Sequence, residues 1–100
     1  MEKLIKDNLI EIKKIFKTYG AESAFLFGSA AIDKMNNDSD IDFLFSFPKD
    51  MDYVTYSDNY FGLIDSLEFL LKKEVDLIAE KTLKNPYLIE KINSQKIKLL

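Results

Sequence analysis

Isolated carboxylates inside strand-like apolar runs constrain this chain most. Asp40 and Asp42 lie in Ser39-Asp40-Ile41-Asp42-Phe43-Leu44-Phe45, and Asp76 lies in Val75-Asp76-Leu77-Ile78. An unpaired carboxylate carried into an apolar interior shifts its pKa or disrupts the fold, so such groups take a partner or a metal. The three acids are therefore expected to converge at adjacent strand ends. A Gly28-Ser29 turn closes the preceding apolar run, Phe25-Leu26-Phe27, ten residues before Asp40.

Hydrophobic periodicity sets out the remaining elements. Residues 3–19 predict an amphipathic helix, with Ile5, Leu9, Ile12, Phe16 and Tyr19 at helical spacing and Gly20 as its C-terminal cap. Residues 23–28 read as a short strand apolar on both faces, hence central and covered on both sides. Ser29 to Asp33 is expected to start a short helix, and Asn36-Asn37-Asp38 marks a turn. Residues 40–47 form the second strand. Alternation puts Asp40, Asp42, Leu44 and Ser46 on one face and Ile41, Phe43, Phe45 and Phe47 on the other. Residues 48–54 read as a loop. A second long helix is expected over 57–72, with Tyr60, Ile64, Leu67 and Leu71 inward. A third strand follows over 74–79, with Asp76 and Ile78 sharing a face. Pro86 opens a last helix over 86–95, and Ile97 to Leu100 is either an edge strand or a trailing end. The order implies one α/β (α+β) domain over residues 1–100, a small mixed sheet flanked by helices.

Composition narrows the chemistry. The chain holds 100 residues, enough for one core that buries roughly 60–65% of the extended surface. It contains no cysteine and no histidine, which removes thiolate and imidazole ligands and histidine acid–base catalysis. Any metal must be hard and oxygen-bound, Mg²⁺ or Mn²⁺. No apolar run reaches the about 18 residues of a membrane span, and the N-terminus lacks a signal-peptide core, so the expected location is the cytoplasm. A net charge of −3 gives no electrostatic encouragement to direct nucleic-acid binding. Lys13, Lys14 and Lys17, and Lys72 and Lys73, read as complements to helix C-terminal dipoles. Phe25, Phe27, Phe43, Phe45 and Phe47 read as core or sheet-face residues. Tyr53, Tyr56, Tyr60 and Phe61 pack, stack on a base or meet a partner.

Glycine lets a backbone approach a phosphate closely, and a serine hydroxyl adds a donor. Three acids beside such a turn suit two divalent cations and a nucleoside triphosphate. A calcium-binding EF-hand loop starting at Asp38 fails, because Phe43 stands at its glycine position and Lys49 at its bidentate acid.

Together, Gly28-Ser29, the ten-residue gap, Asp40-Ile41-Asp42 and the distant Asp76 resemble the signature of the minimal nucleotidyltransferases (the MNT group of the DNA polymerase beta superfamily) over about residues 3–95. The resemblance implies a minimal nucleotidyltransferase core and two-metal transfer of a nucleoside monophosphate, AMP from ATP. It assigns two Mg²⁺ or Mn²⁺ ions to Asp40, Asp42 and Asp76, a share in accepting the hydroxyl proton to Asp76, and the β- and γ-phosphates to Gly28 and Ser29. It further implies a HEPN-like helical partner protein and an antitoxin role in a toxin–antitoxin pair. The alternatives are a non-catalytic antitoxin acting by binding, and AMP transfer to a small hydroxylated molecule. The family continues Gly-Ser-x-Ala-Arg-Gly; here Ile32 replaces the arginine and Asp33 the glycine. That removes a cation from the triphosphate's surroundings, with Lys34 a candidate substitute.

Overall fold

A computed structural model describes all of residues 1–100. Two helical segments, α1 (Lys3–Asp7) and α2 (Leu9–Thr18), lead into β1 (Ser23–Phe27). A single 3₁₀ turn, Gly28–Ala30, follows, then β2 (Ile41–Ser46), α3 (Tyr53–Leu71) and β3 (Val75–Ala79). A second 3₁₀ turn, Glu80–Thr82, leads to α4 (Pro86–Gln95) and β4 (Ile97–Lys98). The four strands form one mixed sheet in the order β3-β2-β1-β4. β1 runs antiparallel to both β2 and β4, and β2 runs parallel to β3.

The long first helix expected over 3–19 is broken at Asn8. The Asn8 backbone N–H donates to Ile5 three residues back, and its side-chain amide donates to the Leu4 carbonyl at 2.8 Å. This local side-chain bond competes with the helical ladder and tightens the turn. At the other end, Gly20 (φ +82) follows the helix, its N–H donating to Lys17 and that of Ala21 to Phe16. These paired bonds are a Schellman closure, which requires the left-handed backbone that glycine adopts cheaply.

α3 starts at Tyr53, four residues earlier than expected. The Asp52 carboxylate caps it, accepting from the Thr55 N–H at 2.9 Å and the Thr55 hydroxyl at 2.8 Å. The last helix begins at Pro86 as expected, capped by Asn85. The second strand is shorter than expected, leaving Asp40 on the approach to Ile41 and Phe47 just past Ser46.

The two sheet faces are covered unequally. Ile41, Phe43 and Phe45 of β2, with Ala24 and Leu26 of β1, face the main core, filled by Ile5, Ile12 and Phe16 from α1 and α2 and by Leu63, Leu67 and Leu71 from α3. Phe16 and Phe43 meet edge to face with centroids 5.4 Å apart. The opposite face carries a small cluster of Phe27, Leu44 and Ile92, the last from α4. α4 covers only part of this face. The uncovered part holds the acids, because only there can carboxylates reach water. No helix is long and apolar enough to cross a membrane.

Candidate active site

Asp42 and Asp76 stand opposite one another in the parallel register of β2 and β3. Paired positions project to the same side of a sheet, on strands about 4.8 Å apart. Both carboxylates therefore rise from the lightly covered face, at the starts of two adjacent strands. Asp42 is half-buried and Asp76 is exposed. The chain's two ion pairs, Met1 with Asp33 and Lys3 with Asp7, involve neither acid. The Asp42 pKa is pushed up to about 6, first by burial and then by the negative charges of Asp76 and Asp40.

Asp40 precedes β2 and is exposed. Its charge reaches Asp42, yet no three acidic side chains are arranged as a closed metal cage. The donor set nonetheless fits a hard divalent cation: two adjacent carboxylates without a cation partner, a third on the flanking loop, and no nitrogen or sulfur ligand.

Gly28 has a reason within the structure itself. Phe27 pairs with Asp42, so Gly28 lies beside that carboxylate with φ +72. A Cβ built on Gly28 would fall on Asp42 Oδ2 and within 3.1 Å of its Cγ. A glycine here keeps the space around the carboxylate open. Ser29 sits in the 3₁₀ turn Gly28–Ala30 instead of the first turn of a helix over 29–33. The Ala31 N–H donates back to Gly28 and the Lys34 N–H to Ser29, folding the segment into a compact turn against Asp42.

The two departures from the family motif sit in that turn. Ile32 is exposed, at 41%. Asp33 adopts φ +58, the left-handed conformation that the family's glycine would take without strain. Aspartate is among the residues that tolerate it. Asp33 thus holds a backbone conformation that glycine favours, and Ile32 supplies no cation. Lys34 is exposed and joins no ion pair.

Sequence reasoning missed Lys73. Its ammonium donates to the carbonyls of Asn36 (3.3 Å), Asn37 (3.0 Å) and Ser39 (3.2 Å), tying the start of β3 to the loop that delivers Asp40. As a charge near a helix end it looked like a dipole complement. Nothing local in the sequence signals carbonyl acceptors more than thirty residues away. Tyr60 is a second supporting group: its hydroxyl donates to the Leu77 carbonyl at 3.0 Å, beside Asp76. Burial, then the Asp76 charge, raises its pKa. A concavity of about 480 Å³ opens at the other end of β2 near Ser46 and Phe47, away from the acids. A shallower one, about 200 Å³, lies between Asp40 and Lys73.

Known proteins are similar to this chain in sequence and in fold. A Methanocaldococcus jannaschii protein named as a protein adenylyltransferase is 39% identical over 94 residues, covering 93% of this chain and 92% of its own. A solved structure described as a minimal nucleotidyltransferase superposes with a TM-score of 0.73 at 27% identity, over 93% of this chain and 90% of that one. The fold also matches a Shewanella oneidensis complex of a tri-AMPylated HEPN toxin with its MNT antitoxin, at TM-score 0.65 and 21% identity, over 95% of this chain and 71% of that one. The family model described as a nucleotidyltransferase domain matches residues 9–99, and the chain belongs to that family.

Proposed function

We propose that this nucleotidyltransferase transfers AMP from ATP to a hydroxyl of a partner protein, as the antitoxin of a HEPN–MNT pair. The observation that carries the reading is the Asp42–Asp76 pair, facing one way beside the space left by Gly28. The protein adenylyltransferase name of the 39% identical relative supports the reaction class, and the AMPylated toxin in the Shewanella complex supports the kind of acceptor.

Asp42 and Asp76 would hold the divalent ions, with Asp40 joining from its loop. Two such ions, Mg²⁺ or Mn²⁺, would supply positive charge to the oxygens of a phosphoryl displacement. The Gly28–Ala30 turn presents backbone N–H groups and the Ser29 hydroxyl to the β- and γ-phosphates. The acceptor hydroxyl bonds to the α-phosphorus as the bond to pyrophosphate breaks, and its proton passes to the Asp76 carboxylate. Asp42 must be ionised to take part, which a pKa of about 6 permits near neutrality.

The test combines the purified chain, ATP and Mg²⁺ with any helical protein whose gene neighbours its own. A gain of one or more AMP masses on a partner tyrosine is expected by intact mass spectrometry, with inactivation that persists after separation. The second reading is neutralisation by binding alone. It is favoured by Ile32 and Asp33, which leave the triphosphate without the family's arginine. An unmodified partner that regains activity on separation would establish it.

A further inference from the structure

The outward side of α3 carries an apolar stripe that is largely exposed. Val54, Phe61 and Phe69 are 68%, 61% and 77% exposed. At about 100° per residue they lie, with Asp58 and Asp65, within about 80° of helix circumference. Side chains alternate along it: apolar, acidic, apolar, acidic, apolar. Both aspartates are exposed, and neither joins an ion pair. Their neighbours three and four positions away on the helix are Val54, Thr55, Phe61, Gly62, Glu68 and Phe69, with no basic residue among them. An ordinary solvated helix face places Lys or Arg at those positions. Here carboxylates flank exposed aromatic rings along one helix face, a pattern that charged apolar-faced partners complement.

The pattern also selects against a second copy of this chain. In an antiparallel self-pairing, the register that sets Val54 against Phe69 and centres the Phe61 rings also sets Asp58 against Asp65 of the other copy, twice. Like charges facing across an interface oppose association. At the C-terminal end the Lys72 ammonium sits 4.5 Å from the Phe69 ring centroid, so the Val54–Asp65 stretch of the stripe is its most open part.

We infer that this face of α3 docks a helix of a different protein, one that presents apolar side chains alternating with lysine or arginine at matching spacing. α3 packs on the sheet face opposite Asp42 and Asp76. A partner held here leaves the acids accessible, and the inference does not depend on the transfer reading.

Two fluorescent 21-residue helical peptides test it. Both place leucine opposite Val54, Phe61 and Phe69; one places lysine and the other glutamate opposite Asp58 and Asp65. Anisotropy is expected to show the lysine peptide binding at least tenfold more tightly, with the gap narrowing in 0.5 M NaCl. Amide NMR shifts should concentrate on α3. The double variant Asp58→Lys/Asp65→Lys should reverse the preference, and Phe61→Glu or Val54→Glu should abolish binding. All four positions are exposed, and circular dichroism checks that the variants stay folded. Equal affinity for both peptides, no binding by either, shifts on another surface, or a homodimer that Phe61→Glu dissolves would each overturn the inference.

Discussion

Asp42 and Asp76 are register partners on parallel neighbouring strands, and the Asp76 charge helps raise the Asp42 pKa to about 6. An acid whose pKa is higher folded than unfolded binds its proton more tightly in the folded state. Its ionisation therefore costs stability fully above about pH 6, and the cost disappears below the unfolded value of 3.8. Discounted for its partial exposure, the cost is about 1–2 kcal/mol. Asp42→Asn should raise the metal-free melting temperature at pH 7.5 and leave it unchanged at pH 3.5, while abolishing AMP transfer. Equal stabilisation at both pH values would show that charge is not the cause.

The same titration sets the acid limit for metal. Mn²⁺ binding to the wild-type chain should weaken as pH falls from 7 to 5, because protons compete for Asp42. Calorimetry at three pH values measures it. A flat profile would place the metal on other ligands.

Gly28→Ala should damage the site in two ways. The left-handed backbone costs a non-glycine residue about 1–2 kcal/mol, and the new methyl group falls on the Asp42 carboxylate. Urea unfolding should register the first. Loss of Mn²⁺ affinity beyond what the stability change explains should register the second. Wild-type affinity in a folded Gly28→Ala protein would remove Gly28 from the account of the site.

The strand period made the acid face legible. Once Asp40-Ile41-Asp42-Phe43 is extended, Asp42 must point away from Phe43, and Asp76 must point away from Leu77. Apolar partners then fix which side meets water. Gly20 was legible because its requirement is local. The break at Asn8 was not, because the apolar spacing runs unbroken across it. The start of α3 was hidden because Tyr53-Val54-Thr55 favours extended structure, and helix forms there through the Asp52 cap and the packing of Tyr56 on Phe47 with ring centroids 5.0 Å apart. The Lys73 tether and the Gly28–Asp42 contact join residues far apart in sequence, which no periodicity encodes.

Lys73→Met should loosen the Asp40 loop without unfolding the protein. Within that loop Asn36 N–H donates to Ser39 Oγ, Asp38 N–H to Asn36 Oδ1 and Ser39 N–H to the Asn36 carbonyl. The Lys73 ammonium ties the outward carbonyls of the same loop to β3. Hydrogen exchange should quicken across 36–40, global stability should fall by less than about 1 kcal/mol for a largely exposed contact, and Mn²⁺ affinity should drop. Lys73→Arg should restore part of each. Unchanged exchange in Lys73→Met would mean the loop holds itself.

Ile32→Arg combined with Asp33→Gly should strengthen triphosphate binding. Ile32 is exposed in the turn that follows Gly28-Ser29, so an arginine there costs no buried packing. Asp33 already has the backbone conformation of a glycine, at φ +58, so the second change relieves strain while giving up the exposed Met1–Asp33 ion pair. A charge-assisted phosphate contact contributes on the order of 1.5–3 kcal/mol, about ten- to a hundred-fold in affinity. Calorimetry with a non-hydrolysable ATP analogue and Mg²⁺ should show that gain, most of it retained in Ile32→Arg alone. A double variant that binds no better than wild type would mean that a group already present, Lys34 foremost, serves the phosphates. The loss of the arginine would then be no argument for a binding-only antitoxin. A strong gain accompanied by new AMP transfer would instead show that the natural chain is held below catalytic competence by these two residues.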